Sequence, residues 1–117
     1  MTKQILVKQL YETVDARNTD GLSKFLSDTI RFRIGNHDTV VGRRNVLAAN
    51  DAFFNSIAGM THKIENIWVQ GEDVICNGSV DYVRLDGTPY SAHFATTLKM
   101  RNEVIEDYFV YADISQL

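Results

Sequence analysis

The chain of 117 residues is the length of one compact domain and buries enough of its unfolded surface to fold without disulfide or metal staples. Its 44% hydrophobic and 23% charged residues fit an ordinary globular protein, and a net charge of −3 argues against a nucleic-acid partner, which needs a concentrated basic surface. The single cysteine, Cys76, excludes an intrachain disulfide and a cysteine-based zinc site.

The N-terminal segment MTKQILVKQLYETV is broken by charge, so it reads as neither signal peptide nor membrane span. Cytoplasmic residence is the simplest expectation, although a disulfide-free periplasmic protein has the same composition. Leu6, Leu10 and Val14 recur every four residues with Val7 and Tyr11 beside them, which predicts an amphipathic helix that Thr2 can cap. After the break ARNTDG, Asp20 is placed to cap a short second helix carrying Leu22, Phe25 and Leu26. TIRFRIG alternates as a short strand. A third helix then follows Gly42, with Val46, Leu47, Phe53, Phe54 and Ile57 on its apolar face and Gly59 placed to end it.

From there onwards the chain is strand-like. HKIENIWVQ, DVICNGSVDYVRL, YSAHFATTLKM and VIEDYFVYAD are rich in β-branched and aromatic residues and separated by turn signals. The short connections predict antiparallel hairpins. Helices first and a long-stranded meander afterwards make an α+β fold, one domain over residues 1–117. Its helices pack on one face of a curved, cone-shaped sheet that is mainly antiparallel.

The order helix, helix, strand, helix and four long strands resembles the nuclear transport factor two-like, or SnoaL-like, superfamily with its cystatin-like roll. The marks of the resemblance are LYETVDARNTDGLSKFLSD, VVGRRNV and the closing VIEDYFVYADIS, and it covers essentially the whole chain. Relatives include polyketide cyclases, ketosteroid isomerases and limonene-epoxide hydrolases, so the resemblance implies a fold more than an activity.

Three chemistries of the family map onto this chain residue by residue. Limonene-epoxide-hydrolase-like members end in an aspartate at the position of Asp113, and their partner aspartate matches Asp81. Two carboxylates in one apolar cavity divide labour when burial separates their pKa values. The arginine of that class is replaced by Ser79, and its water-holding tyrosine and asparagine have no counterpart in RFRIGN. Ketosteroid-isomerase-like members pair a donor tyrosine, resembled by Tyr11, with a base that falls here near Arg33, a residue that stays protonated. Asp38, in the turn GNHDT, is the nearby substitute, and the second donor falls among Ala95, Thr96 and Thr97. Polyketide-cyclase-like members pair a histidine, matched by His93, with an aspartate on the last strand, Asp113 or Asp107. An imidazole held by a carboxylate suits proton removal next to a carbonyl.

Each candidate also has a purely structural reading. Asp113 can cap the C-terminal turn through the amides of Ile114 and Ser115, and Asp81 can form a surface pair across its strand. His93 can be structural or interfacial, and His62 can cap the end of the third helix. His37 reads as a solvated turn residue, and Cys76 as a small core residue. The spacing of the three histidines offers no preformed metal site, and no glycine-rich phosphate loop is present.

The sequence therefore predicts an apolar pocket lined by Trp68, Phe53, Phe54, Phe109 and Phe32. Asp113, His93, Asp81, Tyr111 and Tyr11 are its candidate catalytic groups. The expected function is binding of a small hydrophobic, oxygenated ligand, with cofactor-free acid–base chemistry of cyclase or isomerase type. The alternatives are a non-catalytic binding or assembly domain and an epoxide hydrolase using Asp81 and Asp113. No cofactor, metal, nucleic acid or membrane is expected, and the resemblance implies a homodimer formed through the sheet.

Overall fold

The computed structural model describes residues 2–117. Helix α1 (Lys3–Asp15) starts where Thr2 Oγ1 accepts from the amide of Ile5 at 3.2 Å, and it buries Leu6, Val7, Leu10, Tyr11 and Val14 on one stripe. Helix α2 (Thr19–Ser23) is capped by Asn18, whose Oδ1 accepts from Gly21 N at 3.0 Å. Asp20, expected at that position, lies in the first turn instead, where its charge favours the positive end of the helix.

Strand β1 (Leu26–Ile34) begins earlier than expected and takes Leu26 away from the helix. A two-residue strand, β2 (Val40–Val41), pairs with it. Helix α3 (Arg43–Asn55) follows Gly42 and ends at Ser56, not at Gly59. Ile57 and Gly59 belong instead to β3 (Ile57–Gln70), because pairing with Val83 and Arg84 supplies the hydrogen bonds that another helical turn would have offered. Strands β4 (Asp73–Arg84), β5 (Pro89–Arg101) and β6 (Val104–Ala112) complete the meander.

The six strands form one mixed sheet that does not close, in the order β2-β1-β6-β5-β4-β3. All pairs are antiparallel except β1 with β6, which is parallel and joins the first strand to the last. The architecture is the expected α+β arrangement, with the helices packed on the sheet.

Bulges in β3 between Ile64 and Asn66, and in β6 around Glu106, bend the sheet around the helices. The β3 bulge lies where the backbone of β4 approaches closely: a Cβ at Gly78 would sit 1.8 Å from the carbonyl oxygen of Lys63. Only glycine fits there.

The bend gives the sheet two unlike faces. Val74, Cys76, Val80 and Tyr82 of β4, Phe94, Thr96 and Leu98 of β5, and Ile105 and Tyr108 of β6 turn towards the helices and are buried. The alternate residues turn outwards. There Ser79 lies opposite His93, Asp81 opposite Ser91, Ala95 opposite Tyr111 and Thr97 opposite Phe109.

Candidate functional site

Between the helices and the inner face lies a cavity of about 380 Å³, within the size range of small-molecule sites. Tyr11 comes from α1, Phe32 from β1, Phe53 and Phe54 from α3, Tyr82 from β4 and Phe94 from β5. Tyr108 of β6 adds a seventh ring, and His37, Asp38 and Ile114 come from the flanking loops.

Two polar groupings stand out against this apolar wall. The first joins α1 to β3. Asp15 is the last residue of α1, at the negative end of the helix, where a carboxylate is disfavoured unless something else holds it. Two donors from β3 hold it. The amide of His62 donates to Oδ2 at 2.8 Å, and the imidazole Nδ1 lies 2.5 Å from Oδ1. An ionised carboxylate only accepts, so the shared proton is on Nδ1, and in the neutral form of the ring the lone pair is on Nε2. The His62 side chain is 7% exposed and packs against Tyr11 and Phe94, with ring centroids 4.5 and 5.0 Å away. Nε2 has no protein partner among the described residues, and His62 lines the cavity.

The second grouping is a set of hydroxyls. Tyr11 Oη lies 2.5 Å from Thr96 Oγ1, both fully inside. Burial pushes the Tyr11 phenol well above its ordinary value, raises that of Tyr108, and pushes that of Tyr82 up to about 12. These hydroxyls therefore keep their protons over the whole neutral range and serve as hydrogen-bond donors. Cys76 sits beside them as a buried thiol, also pushed up by burial, to about 11. A thiol at that value is a poor nucleophile, in keeping with a core role.

The structure divides the residues named from sequence into two groups. Tyr11, Phe32, Phe53 and Phe54 line the cavity. Asp113, His93, Asp81, Tyr111, Trp68 and Phe109 do not; they lie on or beyond the outer face. Asp113 is exposed and accepts from the amide and hydroxyl of Ser115, at 3.0 and 2.6 Å, so it caps the C-terminal turn. Those bonds lower its pKa, with the Ser115 hydroxyl contributing most. Asp81 accepts from the Ser91 hydroxyl at 2.6 Å across β4 and β5, and His93 stands exposed opposite Ser79. Phe109 is covered by the guanidinium of Arg33, 4.6 Å from the ring centroid, and Arg33 also donates to the Tyr111 hydroxyl at 3.0 Å. Asp107 is paired with Arg31, which holds its carboxyl below the usual value. Trp68 is 52% exposed near the end of β3. Asp107, Phe109 and Tyr111 alternate along β6 on the outer face and Asp113 lies beyond its end, so no Asp81–Asp113 pair meets in the cavity.

Sequence reasoning missed His62 and Asp15. His62 does not cap α3, whose C-cap amide, that of Ser56, bonds to Phe53 O. The overlooked signal is parity: Met60, His62 and Ile64 alternate on one face of β3, and the buried Met60 marks that face as inner. Asp15 lies four residues after Tyr11, on the same stripe of α1.

Residues 7–108 match the SnoaL-like domain family. No curated protein sequence matches the chain. Among solved structures, a protein of unknown function with the nuclear transport factor two-like fold from Burkholderia pseudomallei K96243 is 18% identical, with a TM-score of 0.87 over 99% of this chain and 95% of its own. A protein with the ketosteroid isomerase-like fold from Catenulispora acidiphila DSM 44928, solved in complex with trimethylamine, is 19% identical, with a TM-score of 0.87 over 98% of this chain and 89% of its own. An epoxide hydrolase from M. tuberculosis, of the limonene-epoxide-hydrolase-like kind, is 14% identical, with a TM-score of 0.80 over 93% and 80%. At these identities the structural likenesses establish the fold, and the family match spans most of the chain. The chain belongs to the SnoaL-like domain family.

Proposed function

We propose that this member of the SnoaL-like family binds a small hydrophobic, oxygenated ligand in the cavity and moves a proton on it without a cofactor. His62 is the base in this reading, Asp15 orients it, and Tyr11 is the donor to oxygen. The observation that carries it is the imidazole of His62, held through Nδ1 by Asp15 in the wall of an apolar cavity.

The chemistry follows from the parts. A neutral Nε2 accepts a proton from carbon next to a carbonyl, and the carboxylate behind the ring stabilises the imidazolium that forms. The charge that develops on the ligand oxygen needs donors that stay protonated, and the buried tyrosines supply them. A base and proton donors in one water-poor space suit an enolisation of cyclase or isomerase type. The trimethylamine complex of the Catenulispora protein supports a role for the fold in holding small organic molecules.

The experiment uses 5-nitrobenzisoxazole, whose ring opens when a base takes its carbon-bound proton, the N–O bond breaks and a phenolate leaves. Ring opening faster than with free imidazole, and slowed on the order of a hundredfold or more by His62→Ala, supports the reading. A rate untouched by His62→Ala overturns it and leaves the non-catalytic binding domain.

The exposed apolar residues of the outer face, among them Trp68, Ile75 and Tyr111, support the further reading that two copies pair through the sheet.

A further inference from the structure

We propose that the ligand of the cavity carries a cationic nitrogen, an ammonium or protonated amine seated among the aromatic rings. The inference rests on the reading of this cavity as the ligand site and narrows it to a ligand class.

Among the described residues, no lysine or arginine lines the cavity. Of the arginines on neighbouring elements, Arg17 is spent on the carbonyls of Phe54 and Ile57, Arg43 on Leu26 O and Asp28, and Arg31 on Asp107, while Arg44 of α3 is exposed and outside the lining. A carboxylate or phosphate ligand would thus lose its water and meet no fixed cation, a heavy penalty in an apolar enclosure.

The acids are distributed the other way. Asp15 stands directly behind His62, and Asp38 lies at the cavity wall. The pKa values of Tyr82 and Tyr108 are raised mainly by burial, with a small contribution from the charge of Asp15. The remaining titratable groups at the wall are the imidazoles of His37 and His62 and the buried phenols. Asn50 adds to the acceptor side. Its amide nitrogen donates to Val46 O at 2.9 Å, which leaves its oxygen without a protein partner among the described residues.

The rings complete the site. Aromatic faces attract a cation electrostatically, and the attraction grows when water is excluded. Tyr11, Phe94 and His62 pack within 5.5 Å of one another between ring centroids, and Phe53 meets Tyr82 edge to face on another wall. A cluster of rings backed by carboxylates, with no lysine or arginine in its lining, recognises a soft, apolar cation.

The test compares two probes of nearly equal shape, (3-hydroxyphenyl)trimethylammonium and its neutral isostere 3-tert-butylphenol, by calorimetric titration of the full chain. Ring signals of Tyr11 and His62 followed by NMR identify the binding site. The expected result is tighter binding of the ammonium, on the order of tenfold, with shifts at Tyr11 and His62. Asp15→Asn is expected to shrink the preference, and Asp38→Asn, a change at an exposed position, shrinks it without touching the core. If the neutral phenol binds in the cavity as tightly as the ammonium, the charge preference is overturned while the ligand site stands. Ammonium binding that shifts only outer-face signals such as those of Trp68 also overturns it. If neither probe shifts Tyr11 or His62, both the preference and the ligand-site reading fall.

Discussion

Asp15 Oδ1 lies 2.5 Å from Nδ1 of His62, joining the last residue of the first helix to a strand forty-seven positions later. With an ionised Asp15 the contact places the ring proton on Nδ1, and His62 lines the cavity. The contact also explains why an acid is tolerated at the negative end of a helix.

Replacing that acid tests the contact. Asp15→Asn keeps the size but removes the acceptor strength that both the amide and the ring of His62 use. The expected loss of stability is about 1–3 kcal/mol, measured by urea unfolding. The expected loss in ring-opening of 5-nitrobenzisoxazole is roughly tenfold or more, because an asparagine cannot stabilise the imidazolium.

Asp113 is expected to behave as a cap. Titrated by carbon-detected NMR, its carboxyl should fall below the ordinary 3.8, because the Ser115 hydroxyl and amide favour the charged form. A lowered folded-state value means that the cap contributes fully above the unfolded-chain pKa and is lost as pH falls through the folded one. The window therefore lies below about pH 4. Asp113→Asn is expected to flatten the acid limb of the stability profile slightly and leave the cavity chemistry unchanged.

Gly78→Ala is expected to destabilise the fold without any change in cavity chemistry of its own. The added methyl meets the backbone oxygen and carbon of Lys63, at 1.8 and 2.9 Å, and neither is a flexible side-chain end. A cost of roughly 2–4 kcal/mol is expected in denaturant unfolding.

The outer face makes its own prediction. Ile75 is 42% exposed among the apolar side chains of the sheet, and a charge there opposes the pairing of two copies. Sedimentation should show the unmodified chain as a dimer and Ile75→Glu as a monomer. An unmodified chain that sediments as a monomer contradicts the pairing.

Much of the fold was legible because the periodicities were strong. The stripe of Leu6, Leu10 and Val14 could only be a helix face, and the turn residues between long β-rich runs could only make hairpins. The borders were less legible. Ile57 continues the apolar pattern of the third helix as well as it starts β3, and only the partner strand decides between them.

The site was less legible than the fold, for a reason of parity. Strand β6 is apolar on both faces, since Tyr108, Val110 and Ala112 compete with Phe109 and Tyr111. Nothing local says which set turns inwards, and choosing the wrong one moves every side chain to the other side of the sheet. The extra residue at Glu106 shifts the parity once more within the same strand. The Asp15–His62 contact spans distant segments, so it awaited the fold, although Met60 and Ile64 already marked His62 as an inward position.

The most direct measurement is a long-range proton–nitrogen correlation spectrum of the His62 ring, at a pH where the imidazole is neutral. Nδ1 should be protonated and Nε2 bare, with the Nε2 signal moving when a cavity probe is added. A ring protonated on Nε2, or one whose Nε2 signal ignores every cavity probe, contradicts the role of His62 as the base.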